Sequence, residues 1–179
     1  MEILTRDYGT IEVDEASVIR FEDGLFAFDD YHDYVLLDDS NGESPFRCLQ
    51  SIEESNLAFV MMDPFEIKSD YEIVLGEDLI ESLDITELDG ILILSIVSVP
   101  EDVKKSSINL RAPIIINVNK CKGAQYVVDN DQYRVRHYLI NEVINVKAER
   151  DDCGAIIQDG TDCMEAEFAI ERNNVTKVE

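Results

Sequence analysis

Basic residues are scarce in this chain: 15 lysines and arginines stand against 39 acids in 179 residues, a formal net charge of −24. Recognition of DNA or RNA rests on Lys and Arg neutralising phosphates, so direct nucleic-acid binding is excluded as a main activity. Histidine is nearly lacking, with only His32 and His137. A general base tuned near neutral pH therefore has few places to reside. Neither histidine is joined by a recognisable Ser or Cys motif, and both read as surface or packing residues. The eight glycines are scattered, and no G-x-x-x-x-G-K or G-x-G-x-x-G run exists to cradle a phosphate. The longest apolar run, Ile91-Leu92-Ile93-Leu94, is far short of the ~20 residues of a membrane helix. Acids at Glu2 and Asp7 stand where a signal peptide would carry its basic region. Cys48, Cys121, Cys153 and Cys163 are dispersed, with no C-x-x-C or zinc-finger spacing, and read as thiols of a reducing compartment. A cytoplasmic, non-enzymatic protein with no cofactor, no metal and no membrane association is expected.

What the chain does contain is short β-rich runs punctuated by turn residues every eight to twelve positions, the rhythm of a sandwich or barrel. Ile3–Thr5 and Thr10–Val13 flank Arg6-Asp7-Tyr8-Gly9, whose glycine suits a hairpin connection. Strands are expected at Val18–Phe21, Tyr34–Leu37, Phe46–Ile52, Leu57–Met62, Tyr71–Leu75, Ile114–Val118, Gln125–Val128 and Tyr133–Ile140. Proline at 64 cannot donate to a ladder and ends the pairing of its strand. Ile91–Val99, nearly continuous Ile, Leu and Val, reads as a central strand buried on both faces. Leu79, Ile80 and Leu83 recur at helical spacing and predict a short helix over Glu77–Leu83. The fold class is all-β: a small antiparallel β-barrel or sandwich-like domain of about nine or ten short strands with one or two short helices. It spans residues 1–140. Residues 141–179 read as an acidic C-terminal extension, partly ordered at best, in which Ala155–Ile157 and Glu167–Ile170 could pair as a hairpin.

The charge is unevenly placed. Residues 1–103 hold 27 acids and 4 bases, residues 104–140 hold 2 acids and 7 bases, and residues 141–179 hold 10 acids and 4 bases. Such a field maintains solubility and also speeds encounter with a basic protein partner. The acidic run Asp38–Glu43 does not register as a calcium loop, because placing Gly42 at the sixth position puts Leu37 at the first, where a carboxylate is needed.

Four segments carry more information together than apart: Phe21-x-x-Gly24-Leu25-x-x-Phe28, Pro45-Phe46-x-x-Leu49-Gln50-Ser51, Phe59-x-x-x-Asp63-Pro64, and Asn109-Leu110-Arg111-Ala112-Pro113. Gly123-x-Gln125-x-Val127-Val128 and Tyr133-x-x-Arg136 follow in order. Together they resemble the FliW family of flagellar assembly factors over about residues 1–140. The family's first motif continues with Pro-Gly after Gly-Leu, whereas this chain has Phe26-Ala27, and its tail runs past the usual family end.

The resemblance implies a small β-barrel-like domain that binds flagellin in the cytoplasm and also binds CsrA, a basic, RNA-binding homodimeric translational repressor. In that scheme the acidic face meets CsrA, and an apolar patch meets the terminal helices of flagellin. Phe26, Phe28 and Tyr31 are candidates for the patch; the opposing reading is that they plug one end of the barrel. Asp63, Pro64 and Phe65, with Asn109, Leu110 and Arg111, are motif positions in expected loops, serving either partner binding or local folding. Two other readings compete. A hydrolase or isomerase could use paired carboxylates such as Asp38 and Asp39, which requires acids converging in a pocket. A small-ligand-binding β-barrel without catalytic activity requires an internal cavity of roughly 300 Å³ or more.

Overall fold

The computed structural model describes residues 1–38, 44–139 and 175–177, and among these residues it contains thirteen strands and two short α-helices. Seven strands close into a barrel: β3 (Ile19–Phe21), β4 (Asp33–Leu37), β5 (Phe46–Ser51), β6 (Ala58–Met62), β8 (Ile91–Ser98), β10 (Ile114–Asn117) and β11 (Lys122–Gln125). Neighbours pair antiparallel except at β11 and β3, which run parallel with Gly123 opposite Phe21. Closure removes the exposed edges that make an open sheet prone to wrong pairing.

Side-chain alternation decides what fills the barrel. Tyr34 and Leu36 of β4 and Leu49 of β5 point inward, where they meet Phe21, Met61, Leu94 and Ile116 in one buried cluster. The out-of-phase residues Val35, Cys48 and Gln50 are covered from outside, Val35 by the hairpin of β1 (Glu2–Thr5) and β2 (Gly9–Glu12). Gly9 of that hairpin has φ +69°, the left-handed conformation that its turn requires. β8 is buried on both faces: Leu92 and Leu94 enter the barrel, whereas Ile93 and Val97 belong to a second core outside it. This second core is roofed by α1 (Pro64–Ile67), β7 (Ile73–Leu75) and α2 (Glu77–Ser82), together with Tyr133 and Leu139. Each large side chain fully buried in these cores contributes roughly 1.5–3 kcal/mol.

Three expectations change. The strand expected at Gln125–Val128 lies earlier, at β11; beyond it the chain pairs irregularly, Tyr126 N–H donating to Pro113 O and Val128 N–H to Arg111 O. In the expected strand from Tyr133 the regular ladder is confined to β12 (His137–Tyr138) with β9 (Ser107–Ile108), flanked by single bonds from Leu110 N–H to Arg134 O and from Leu139 N–H to Ser106 O, while Tyr133 turns into the second core. Asp63-Pro64 not only ends β6 but opens α1, Asp63 capping it through a 2.9 Å bond from Phe65 N–H. β9 and α1 were not foreseen from periodicity. The hairpin expected at 155–157 and 167–170 lies outside the described residues. Beyond residue 139 the described part is β13 (Val175–Lys177), which pairs parallel with β7, buries Val175 in the second core and donates from Lys177 Nζ to Thr86 O.

Candidate functional site

The first motif forms a tight loop over one end of the barrel. At Gly24, φ is +66°, and a Cβ there would stand 2.7 Å from Phe28 O and 2.8 Å from Asp29 Cα, so the chain returns across itself only because this residue is glycine. Leu25 drops into the barrel, 1 % exposed. Phe28 N–H then donates to Leu25 O at 2.7 Å, closing a four-residue turn whose third residue, Ala27, has φ +69°. Phe28 packs edge-on against Phe59 with ring centroids 5.2 Å apart, and Tyr31 packs against the same cluster. Phe26 goes the other way and is 54 % exposed. The three aromatics are thus divided: Phe28 and Tyr31 close the barrel end, and Phe26 faces solvent.

The Ala27 conformation costs roughly 1–2 kcal/mol in an L-residue with a Cβ, and glycine at that turn position avoids it. Ala27→Gly is expected to raise the unfolding free energy by about 0.5–1 kcal/mol, the remainder lost to the greater freedom of glycine in the unfolded chain. Urea unfolding checks this; an unchanged or lowered midpoint would contradict the strain assigned to Ala27.

Gln125 ties this loop to another motif. Its Oε1 accepts from Phe26 N–H at 3.0 Å, and its Nε2 donates to Ala112 O at 3.2 Å. Asn109–Pro113 is a bulge between β9 and β10, both of which pair with the same strand, β8. Asn109 Oδ1 accepts from Arg111 N–H and Ala112 N–H and so holds the bulge in shape. Leu110 is 1 % exposed, and its carbonyl takes a 2.8 Å bond from Tyr71 Oη. Arg111 donates from Nη1 to Asn130 O at 2.6 Å. Phe65 stacks edge-on against Tyr71 at 5.5 Å, and Tyr71 lies 4.5 Å from Tyr133. Of the candidates, Phe65 and Leu110 meet at Tyr71 in the second core, whereas Asp63 and Pro64 open α1 and Asn109 shapes the bulge. Gln125 and the half-exposed Val127 were not singled out as contact residues, although both stand in a quoted motif.

Among the described residues, the polar groups considered for chemistry are engaged in structural bonds. Asp38 is exposed and pairs with Arg47 Nε at 3.1 Å, and Asp39 lies outside the described residues. His32 Nδ1 lies 2.9 Å from Phe21 O, a structural bond across the loop. Glu53 accepts from the backbone N–H groups of His32 and Asp33. Desolvation works against its charged form, but those two donors together with the nearby His32 and Arg20 outweigh it and hold its carboxyl below the ordinary range. Burial pushes the Cys48 thiol up to about 11, so it remains protonated. Among the described residues no three His, Cys, Asp or Glu side chains converge on a metal-sized site, and no helix is long and apolar enough to cross a membrane.

The family model of the FliW protein matches residues 2–139, which is the barrel, its roof and both motif loops. The chain belongs to the FliW family. It is similar to the flagellar assembly factor FliW of Ruminiclostridium cellulolyticum, at 41% identity over 143 residues covering 80% of this chain and 97% of that protein. The flagellar assembly factor FliW of Caldicellulosiruptor saccharolyticus is 43% identical over 141 residues, covering 79% and 91% of the two chains. A crystal structure of the flagellar assembly factor FliW superposes with a TM-score of 0.73 at 36% identity, covering 79% of this chain and 99% of that one. The all-β barrel is thus shared with a FliW relative. The family-model match ends where the second core receives Leu139, and β13 lies beyond it.

Proposed function

We propose that this FliW-family chain is a cytoplasmic regulatory binding protein and not an enzyme: it binds flagellin and antagonises the translational repressor CsrA, coupling the flagellin level to flagellin translation. Family membership at 41–43% identity over nearly the whole length of relatives named as flagellar assembly factors is the observation that carries this reading. The mechanism needs only mass action. Flagellin and CsrA draw on one limited pool of this chain; accumulating flagellin occupies it and frees CsrA, and exported flagellin releases it to hold CsrA again. The charge supports the second half of the scheme. A chain of net charge −24 attracts a basic RNA-binding homodimer and speeds the encounter, and it antagonises the repressor either by covering its phosphate-contacting arginines or by acting at a distance.

The occupied barrel interior gives the ligand-carrier reading no support, since Phe21, Leu25, Tyr34, Leu49, Met61 and Ile116 meet there as one buried cluster. Gel filtration of the full chain with flagellin, and separately with CsrA, at moderate salt tests the proposal. Co-elution with each partner at micromolar concentration is expected, and no complex with either would remove it.

A further inference from the structure

The loop at the barrel end presents one aromatic ring in an acidic setting. Phe26 is 54 % exposed, while Glu22, Asp23, Asp29 and Asp30 of the same loop are all exposed and no base occurs between Phe21 and Tyr31. The ring stands on a fixed backbone. Gly24 N–H donates to Phe21 O, Phe28 N–H to Leu25 O, and Phe26 N–H to the Gln125 side chain, which is itself held by Ala112 O.

Resting on the reading that this chain works by binding a basic protein, we propose that Phe26 is the anchor of that contact, inserted into an apolar pocket whose rim is positively charged. Three features carry the assignment. A large exposed apolar side chain on a preorganised turn loses little conformational freedom on binding, and buried aromatic anchors dominate interface energies. Four exposed carboxylates in the same loop complement a basic rim and disfavour an acidic one. The shape is a knob and not a groove: Phe28 and Tyr31 are turned into the barrel, so the row of apolar contacts that an amphipathic helix needs is not offered here. On this assignment the aromatic loop serves the basic partner and leaves the helices of flagellin to another surface.

Surface plasmon resonance with the full chain, using the CsrA homodimer and flagellin as probes, tests this. Phe26→Ala is expected to weaken CsrA binding at least tenfold, chiefly through faster dissociation, with flagellin binding and the thermal midpoint unchanged. Asp29→Lys with Asp30→Lys is expected to slow association with CsrA and flatten its salt dependence. A wild-type chain that binds CsrA while Phe26→Ala binds it equally overturns this inference alone. Loss of flagellin binding instead of CsrA binding also overturns it. A wild-type chain that binds neither probe removes the functional reading and this inference with it.

Discussion

Gln50→Leu is expected to lower the unfolding free energy by about 3 kcal/mol, although leucine nearly matches glutamine in volume. Gln50 is fully buried on the outer face of β5. Its Oε1 accepts from Arg6 N–H at 3.0 Å, and its Nε2 faces the carbonyls of Ser51, Ser55 and Leu57 at 2.9, 3.2 and 3.1 Å. One side chain thus fastens the β1–β2 hairpin to the barrel and shapes the turn between β5 and β6. Leucine restores the packing but takes the side-chain partner from the part-buried Arg6 N–H and from the turn carbonyls, at about 1–3 kcal/mol each. Urea titration should show a lower midpoint with an unchanged slope, and hydrogen exchange at the Arg6 amide should accelerate. Stability within about 0.5 kcal/mol of the wild type, the range of a neutral surface change, would mean that Gln50 is merely tolerated.

A comparable loss, about 3 kcal/mol, is expected for Gly123→Ala, from a different cause. A Cβ at Gly123 would lie 2.4 Å from Phe21 Cζ and 2.6 and 2.8 Å from the two Cε atoms. The phenyl ring has no room to retreat, being fully buried and packed edge-on against Tyr34 with centroids 5.2 Å apart. The alternative is to move β11 away from β3 at the single parallel seam of the barrel. Shortening the ring should relieve the clash. Phe21→Leu with Gly123→Ala is expected to be more stable than the sum of the two single losses by at least about 1 kcal/mol, as for residues in contact. Strict additivity would show that the glycine serves something other than the ring. Calorimetry on the four proteins decides this.

Both residues belong to motifs visible in the sequence, but their reasons were not visible there. Leu49-Gln50-Ser51 is written as one motif, yet Leu49 enters the barrel and Gln50 faces away from it, as strand alternation dictates. Alternation and β-branched runs made β3 to β6, β8 and β10 legible, and helical spacing made α2 legible. They could not find β9, two residues long, and they placed β12 only within a longer expected strand, Tyr133–Ile140, of which two residues pair regularly. Nor did composition favour β11, where Lys122-Gly123-Ala124-Gln125 has little intrinsic β preference and is a strand because Phe21 needs a glycine opposite it. Among the candidate contact residues the same limit applies. Phe26, Phe28 and Tyr31 are indistinguishable by type; the left-handed turn at Ala27 sends one ring outward and the next inward. Leu110 reads from the sequence as a loop position open to either binding or folding, because the sequence does not reveal that its side chain is buried and that Tyr71 claims its carbonyl.

In the proposed scheme partners share one pool of this chain, and a titration measures that directly. Labelled CsrA is held in a preformed complex with the full-length chain, and flagellin is added while fluorescence anisotropy follows the label. The account predicts release of CsrA in proportion to added flagellin, complete once flagellin exceeds the chain and reversed by adding more chain. CsrA that stays bound at saturating flagellin, with flagellin bound to the same molecules, would contradict it.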